Sequence, residues 1–397
     1  MEKDRFFIPG TRALVLGLGL NCTIGYGTVF YSFSLMSLQI EDVFGWSSEF
    51  IYGIYSLGVL LSGLIAPVIG RYLDRYGVRY LMSTGSIIVA ISFFGLAIMS
   101  NQWEYILWLL LMEVFSILVV YESAFVALTH AARTQARLPI TQITLMAGFA
   151  STIFWPLISW LLSIVDWRTV YIILALLHIV VCFPVHFGVL KILKLPSNDQ
   201  KNTANKAKKT GTIGHPWRIE GMLSVAFGCV AFCIAGLQIH IFGIMSSLGV
   251  TEQLAVLAGV LIGPFQVVSR VADMLLGQRI NPIYLAILSV ASMLLGVLFL
   301  LASVITSYTV LLFAAAFGLG QGMTYIVRGA VPLFIFGEYN YGTITGRING
   351  VRMMMTAIAP ISLAVAIEWL GPAQSLIGLV FGLLFSHVLL FSIKRSV

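Results

Sequence analysis

The chain has 397 residues, 59% of them hydrophobic and 10% charged, with a formal net charge of +7. A soluble protein carries roughly a quarter charged residues, so most of this surface must face something apolar, and no soluble catalytic or nucleic-acid-binding domain fits the composition. The basic excess lies in short loops and one lysine-rich stretch, Lys191–Lys209, a distribution set by membrane orientation rather than by an acidic partner.

Apolar runs able to cross about 30 Å of hydrocarbon are expected at residues 13–37, 47–70, 78–99, 103–129, 139–163 and 167–190. A polar break follows, then further runs at 218–245, 253–276, 281–303, 308–335, 342–367 and 374–393. None alternates as a lipid-facing barrel strand does, so the predicted class is an all-α polytopic membrane protein with about twelve transmembrane helices. MEKDR precedes a first run long enough to span, and no cleavable signal peptide is expected. Cys22, Cys182, Cys229 and Cys233 sit inside apolar runs without zinc-like spacing, as packing residues do.

Alternate loops carry opposite charge. One set holds Arg71, Arg75, Arg79, Arg133, Arg137, Lys191, Lys194, Arg279, Lys394 and Arg395. The other holds Glu41, Asp42, Glu49, Asp166, Glu252 and Glu368, with Arg168 as its cation. The arginine and lysine bias makes the first set, and both termini, cytoplasmic.

The stretch Gly63–Tyr80 packs Arg71, Asp74, Arg75 and Arg79 between two spans, so it must lie at a water face. Residues 191–217 form a polar linker, dividing an N-terminal bundle (1–190) from a C-terminal one (218–397), six spans in each. Adding 200 maps Gly63 onto Gly263, Gly77 onto Gly277 and Arg79 onto Arg279; adding 204 maps Tyr121 onto Tyr325, Thr152 onto Thr356 and Pro156 onto Pro360. A nearly constant offset indicates an internal duplication, with a solute site expected between the repeats.

Gly70-Arg-Tyr-Leu-Asp-Arg-Tyr-Gly-Val-Arg79 resembles the loop signature between helices two and three of the major facilitator superfamily. Phe44-Gly-Trp-Ser47 and Asp166-Trp-Arg-Thr-Val-Tyr171 agree with it, the latter with Asp where the family has Gly. Within the superfamily, the FGWS stretch and Gly148–Arg168 look most similar to the monocarboxylate and oxalate/formate branches and their bacterial relatives. Pro156 lacks the glycines that drug exporters carry in the fifth helix. The resemblance implies two pseudo-symmetric six-helix bundles around a central cavity, lined chiefly by helices one, four, seven and ten, with no cofactor, no metal and no covalent chemistry.

Ionisable residues deep in a span are functional candidates. Glu113 on helix four and Arg352 on helix eleven are deepest; Glu122 and Arg328 lie about two turns toward the cytoplasm. Arg352 is the first choice for holding an anion, because a guanidinium matches a carboxylate bidentately; a structural pairing is its alternative. Glu113 and Glu122 are the proton-coupling candidates. On one continuous helix their nine-residue spacing is half a turn out of phase, so both cannot face a cavity squarely, and the choice between them stays open. Glu122 and Arg328 are expected to pair, a pairing that reversing both charges would test. Arg328 is also a candidate for the solute cavity, as are Asn21, Tyr26, Gln238, Gln321 and Tyr325, each of these five also a candidate interhelical hydrogen bond. His240 is expected near the outer face. Asp74, Arg75, Arg79, Arg270 and Asp273 are assigned to a conformational gate, with Arg270 and Asp273 one turn apart as a local pair.

The expected function is secondary active transport of a small organic solute, an organic anion of monocarboxylate type, by proton-coupled alternating access. Partners are the solute, H+ and the lipid bilayer, with no nucleic acid, and the protein is expected to act as a monomer in a bacterial inner membrane. An exporter of amphipathic compounds or a carrier of metal chelates keeps the fold and changes the cargo. A non-transporting receptor is the more distant alternative.

Overall fold

The computed structural model describes residues 7–8, 10–192, 216–276 and 279–396. The linker expected at 191–217 falls mostly outside the described residues, as does Gly277. Twelve helices among the described residues are long and apolar enough to span a membrane. They are α1 Arg12–Phe44, α2 Ser48–Tyr76, α3 Val78–Ile98, α4 Gln102–Gln135, α5 Arg137–Ile164 and α6 Trp167–Val189. Then follow α7 Trp217–Ser247, α8 Glu252–Leu276, α9 Pro282–Val304, α10 Thr309–Phe336, α11 Tyr341–Leu370 and α12 Pro372–Ser396.

Local chemistry sets the helix ends. Phe44-Gly-Trp-Ser47 both closes α1 and opens α2. Gly45 takes the left-handed conformation (φ 65°) and its N–H reaches the Glu41 carbonyl, while the Ser47 hydroxyl accepts from Phe50 N–H. Gly77 (φ 83°) is the single residue between α2 and α3. Asn101 caps α4 by accepting from Glu104 N–H at 3.1 Å, and Glu104 reaches back to the Ser100 N–H at 2.7 Å. At the far end of α3, Arg168 donates to the carbonyls of Ala97 (2.7 Å) and Met99 (2.9 Å), satisfying acceptors that a helix terminus leaves open.

By contacts the chain divides into two units. The first is Met1–Thr212 with Gly337–Gly350; the second is Ile213–Phe336 with Val351–Val397. The opening stretch of α11, expected with the second bundle, therefore counts with the first.

The core of the first unit joins α1, α3, α4 and α6, with Val89, Phe93, Leu96, Tyr105 and Leu174 fully enclosed and Tyr171 nearly so. Four of its helices are interrupted inside the span. Helix α1 widens into a π-turn at Tyr26–Tyr31 and α6 at His178–Cys182. Helix α4 breaks over 117–120, where Val120 is extended (φ −110°, ψ −167°), and α5 breaks at Gly148 and Phe149. The released backbone groups find partners. Trp155 of α5 donates to the Tyr31 carbonyl at 3.1 Å, and Ser123 donates across the α4 break to the Ile117 carbonyl at 2.8 Å.

In the second unit α10 is held between α8 and α9 through glycines. A Cβ at Gly318 would lie 2.6 Å from the Ile262 carbonyl, and one at Gly322 2.4 Å from that of Gln266, both on α8. One at Gly320 would lie 2.6 Å from the Ser289 carbonyl of α9. Backbone-to-backbone approach of this kind supplies the packing between helices where lipid removes the hydrophobic drive. Elsewhere large apolar side chains face outward, with Trp103 and Trp369 at 80% exposure beside helix ends, where indole rings favour the membrane interface.

Candidate functional site

Asp74, in the last turn of α2, places its carboxylate at the start of α11. Oδ1 accepts from Gly342 N–H at 3.0 Å, and Oδ2 accepts from Thr343 N–H at 2.7 Å and from the Thr343 hydroxyl at 2.8 Å. First-turn amides have no intrahelical acceptor and carry the positive end of the helix dipole, so a carboxylate satisfies both needs. His130 Nε2 lies 3.6 Å from Oδ1.

Above this cap α2 and α11 meet on bare backbone. A Cβ at Gly70 would fall 2.0 Å from the Gly342 carbonyl, one at Gly346 2.6 Å from that of Ala66, and one at Gly350 2.8 Å from that of Gly63. Gly342, Gly346 and Gly350 repeat every fourth residue, the small-residue pattern that lets two helices approach closely. A small cavity of about 10 Å³, room for little more than one water, opens beside this seam, bordered by Gly70 of α2, Glu122 and Ser123 of α4, and Thr345 and Asn349 of α11.

The expected gate residues are thus dispersed. Asp74 serves α11. Arg79 turns to α6, donating to the Phe187 carbonyl at 2.8 Å with its guanidinium 3.9 Å from the Phe187 ring centre. Arg75 is exposed and lies over Tyr76.

Glu122 is buried and lines the cavity, whereas Glu113 lies with its stem against Gly58 of α2 and its Oε1 without a hydrogen-bond partner. The half-turn offset expected between them presupposed a continuous helix. The break over 117–120 removes that premise, because the two glutamates stand on separate helical segments. At the break, Gly25 of α1 comes within contact of the Val119 carbonyl, and the Tyr26 and Tyr121 rings meet at 4.6 Å. The interruptions of α1 and α4 therefore lie side by side.

Asn21 is fully buried and donates to the Cys182 carbonyl of α6 at 3.0 Å. His178 and His186, which the sequence reading passed over, are also fully buried; they bond Thr28 and Ser86, each at 2.8 Å. The signal for them was their spacing, since His178, Cys182 and His186 recur every fourth residue in an otherwise apolar span.

In the second unit α8 and α10 converge on Tyr325. The guanidinium carbons of Arg270 and Arg328 lie 4.8 Å and 4.9 Å from its ring centre, and the two arginines are 3% and 6% exposed. Gln266 extends the group, donating to Gln321 Oε1 at 3.1 Å and accepting from Arg270 at 3.4 Å. Asp273, one turn beyond Arg270, is buried too. Arg270, expected in the gate as a local pair with Asp273, thus joins the solute candidates Gln321, Tyr325 and Arg328. Gln238 is exposed, His240 bonds the Pro360 carbonyl at 2.9 Å, and Arg352 is half-buried on α11.

Long apolar helices carrying buried arginines, carboxyls and amides define an integral membrane transporter. The Major Facilitator Superfamily profile matches residues 18–360, and the chain belongs to that family. It is a carrier of small-molecule solutes, not an enzyme. Its fold is similar to human MFSD10 (TETRAN), an organic anion transporter, at 13% identity and TM-score 0.69 over 96% of this chain and 100% of that one. It is similar to the proton:xylose symporter XylE bound to 6-bromo-6-deoxy-D-glucose, at 13% identity and TM-score 0.71 over 95% of each chain. FucP in its outward conformation aligns at 12% identity and TM-score 0.68, over 96% of this chain and 99% of that one. At these identities the likeness is one of fold alone. A homologue of the multidrug resistance efflux pump PmrA from Lactococcus lactis subsp. lactis (strain IL1403) is 34% identical over 111 residues. The match covers 26% of this chain and 27% of that protein, so the chain spans about a quarter of the curated relative's length.

Proposed function

We propose that the chain carries a small organic anion of monocarboxylate type, coupled to protons, by alternating access. The observation behind this reading is the Arg270–Tyr325–Arg328 cluster: two buried guanidiniums on one phenol ring, with Asp273 the buried acid nearby on α8. Two guanidiniums held on one ring, with Gln266 and Gln321 alongside, bring cationic and hydrogen-bonding groups together, a setting that suits a carboxylate. Arginine keeps its charge at any working pH and offers a planar fork to a carboxylate. Arg352, Gln321, Tyr26 and Gln238 remain proposed contributors to the path.

Glu113 and Glu122 are the proposed proton carriers. Anion and proton together are near neutral, which lowers the cost of crossing the low-dielectric midplane. The Asp74 cap on α11 is the proposed contact that releases and re-forms during the cycle, and Arg75, Arg79, Arg270 and Asp273 are kept as further proposed gate residues, each on its own unit. We further propose a monomer in a bacterial inner membrane with both termini cytoplasmic, as the arginine and lysine bias of the loops implies.

Reconstituted protein should exchange labelled lactate or formate, and Arg328→Gln should reduce that exchange at least about tenfold, the equivalent of 1.4 kcal/mol. Glu113→Gln should make accumulation independent of an imposed pH gradient. Absence of exchange with every organic acid tried would overturn the anion assignment. The partial match to an efflux-pump homologue favours a second reading, export of amphipathic compounds. It predicts proton-driven extrusion of lipophilic dyes instead of acid exchange.

A further inference from the structure

Four cations gather at one end of the second unit, on helices that pack against one another. The Ser386 hydroxyl of α12 donates to the Ala226 carbonyl of α7 at 3.0 Å. Successive spans alternate in direction, so these two helices run antiparallel. Lys394 lies eight residues beyond Ser386 and Arg218 eight residues before Ala226, about 12 Å along each axis, which sets them at one level. Lys394 Nζ also lies 4.3 Å from the ring centre of Tyr284, in the first turn of α9. The last turn of α12 and the first turns of α7 and α9 therefore share one end. Arg395 follows Lys394, and Arg279 stands just ahead of α9.

This charge is not balanced from within. Glu220 is the one acid carried by α7, α9 and α12. None of Arg218, Arg279, Lys394 and Arg395 makes an ion pair among the described residues. Aromatic rings hold two of them instead. Lys394 Nζ is 4.9 Å from the Phe391 ring centre as well as over Tyr284, and the Arg395 guanidinium carbon is 5.3 Å from Phe391. A ring face attracts a cation without neutralising it, so the charge stays open to an anion. Side chains already steadied by such contacts lose less freedom when they bind.

The surroundings select the kind of anion. Trp217 and Tyr284 are exposed at this end, and such rings favour the interfacial layer of a bilayer. Away from the charged end, α12 presents Phe385 and Val388 and α9 presents Leu288 and Leu295, all exposed and apolar. Phe385 is nine residues from Lys394, about 14 Å along the axis, or half the thickness of the hydrocarbon. A soluble anion would meet the cations and leave the apolar flanks uncovered. A lipid with a charged head and acyl chains matches both.

We propose that this end of α7, α9 and α12 is a binding site for an anionic phospholipid. Lys394 and Arg395 hold the headgroup phosphate, Arg218 and Arg279 border it, and the acyl chains run along the exposed faces of α9 and α12. Basic pockets between membrane helices recognise such headgroups through the same combination of charge and depth. The site is independent of the solute and of the coupling ion.

Native mass spectrometry of the full chain, titrated with phosphatidylglycerol or phosphatidylcholine, tests it. Wild type should bind phosphatidylglycerol more tightly. A cation near a charged membrane surface contributes about fivefold in affinity, so Lys394→Gln should weaken phosphatidylglycerol binding by about that factor. Lys394→Gln combined with Arg395→Gln should weaken it about 25-fold, with phosphatidylcholine binding unchanged. Lys394→Arg keeps the charge and should bind as wild type does. Arg12→Gln removes an equal charge from an exposed position in the first unit and should have no effect. Equal binding of the two lipids by wild type, or an equal loss in Arg12→Gln, overturns the proposal. Thermal protection by inorganic phosphate alone, as large as that by phosphatidylglycerol, makes the ligand a soluble anion and overturns it too.

Discussion

Asp74 and Thr343 are joined twice, the backbone N–H and the hydroxyl of Thr343 both donating to Oδ2 of the carboxylate. Together with the Gly342 N–H, they make Asp74 the N-terminal cap of α11 although it is 268 residues away in sequence. Asp74→Ala should cost about 1–2 kcal/mol of stability, the usual value of a lost cap. Asp74→Asn should cost less, because it keeps an acceptor and loses only the charge on the helix dipole. Thermal unfolding of the purified variants, ranked wild type, Asn, Ala, checks this; equal stability of all three would count against the cap.

Gly70→Ala should be disruptive out of proportion to one methyl group, because its Cβ would sit 2.0 Å from the Gly342 carbonyl. Backbone on both sides cannot rotate away, so the helices must separate at about 1–3 kcal/mol, as in other overpacked contacts. Gly53→Ala on the same helix, with nothing within 4 Å of the added atom, is the control and should be neutral or slightly stabilising. Comparable melting of the two variants would disprove the contact.

Tyr325→Phe should bind solute nearly as well as wild type, and Tyr325→Leu markedly worse. Both keep an apolar side chain, but only phenylalanine retains a face for Arg270 and Arg328. Desolvated cation–ring contacts contribute up to about 2 kcal/mol each, so the leucine variant should lose tenfold or more in affinity, read by isothermal titration or by half-saturation of exchange.

Arg168→Gln strips the α3 terminus of the donor serving Ala97 and Met99. Hydrogen bonds to charged groups contribute roughly 1.5–3 kcal/mol. A loss of that order in thermal or denaturant unfolding, with exchange kinetics otherwise intact, is the expected result.

Asp166, just ahead of α6, has its carboxyl held below the usual value chiefly by the Thr169 hydroxyl, with backbone N–H groups adding to the effect. A depressed carboxyl stabilises the fold above its unfolded pKa, about 3.9, and that contribution disappears as pH falls through the lower folded value. The melting temperature of wild type should therefore approach that of Thr169→Ala as pH drops below about 4. A constant gap between the two down to acid pH would contradict it.

Helix positions were legible because each span must be apolar for its whole length. The expected 78–99, 167–190 and 253–276 meet Val78–Ile98, Trp167–Val189 and Glu252–Leu276 within a residue. Phe44-Gly-Trp-Ser47 stood out as a motif, but its sequence did not show that Gly45 first ends α1 before Ser47 opens α2. The interruptions were not legible. Residues 117–120 read Ile-Leu-Val-Val, an ordinary apolar stretch, and neither π-turn contains a proline. Tertiary partners stabilise these departures: Gly25 against Val119, Trp155 on Tyr31, Thr28 on His178. The charged candidates were found from depth alone, which could not tell that Arg270 would join Arg328 on one ring. Asn21 was found as well, but its link to α6 depends on a neighbour 161 residues away.

The mid-span interruptions described here all fall on one side of the internal repeat, on α1, α4, α5 and α6. The two sets of six helices are therefore built differently inside the span. In heavy water the first should take up deuterium at isolated points deep inside the bilayer, while α7, α8 and α10 stay dark along their lengths. A map of that kind would expose a division of labour that span counting hides: one half that yields, and one that acts as its anvil.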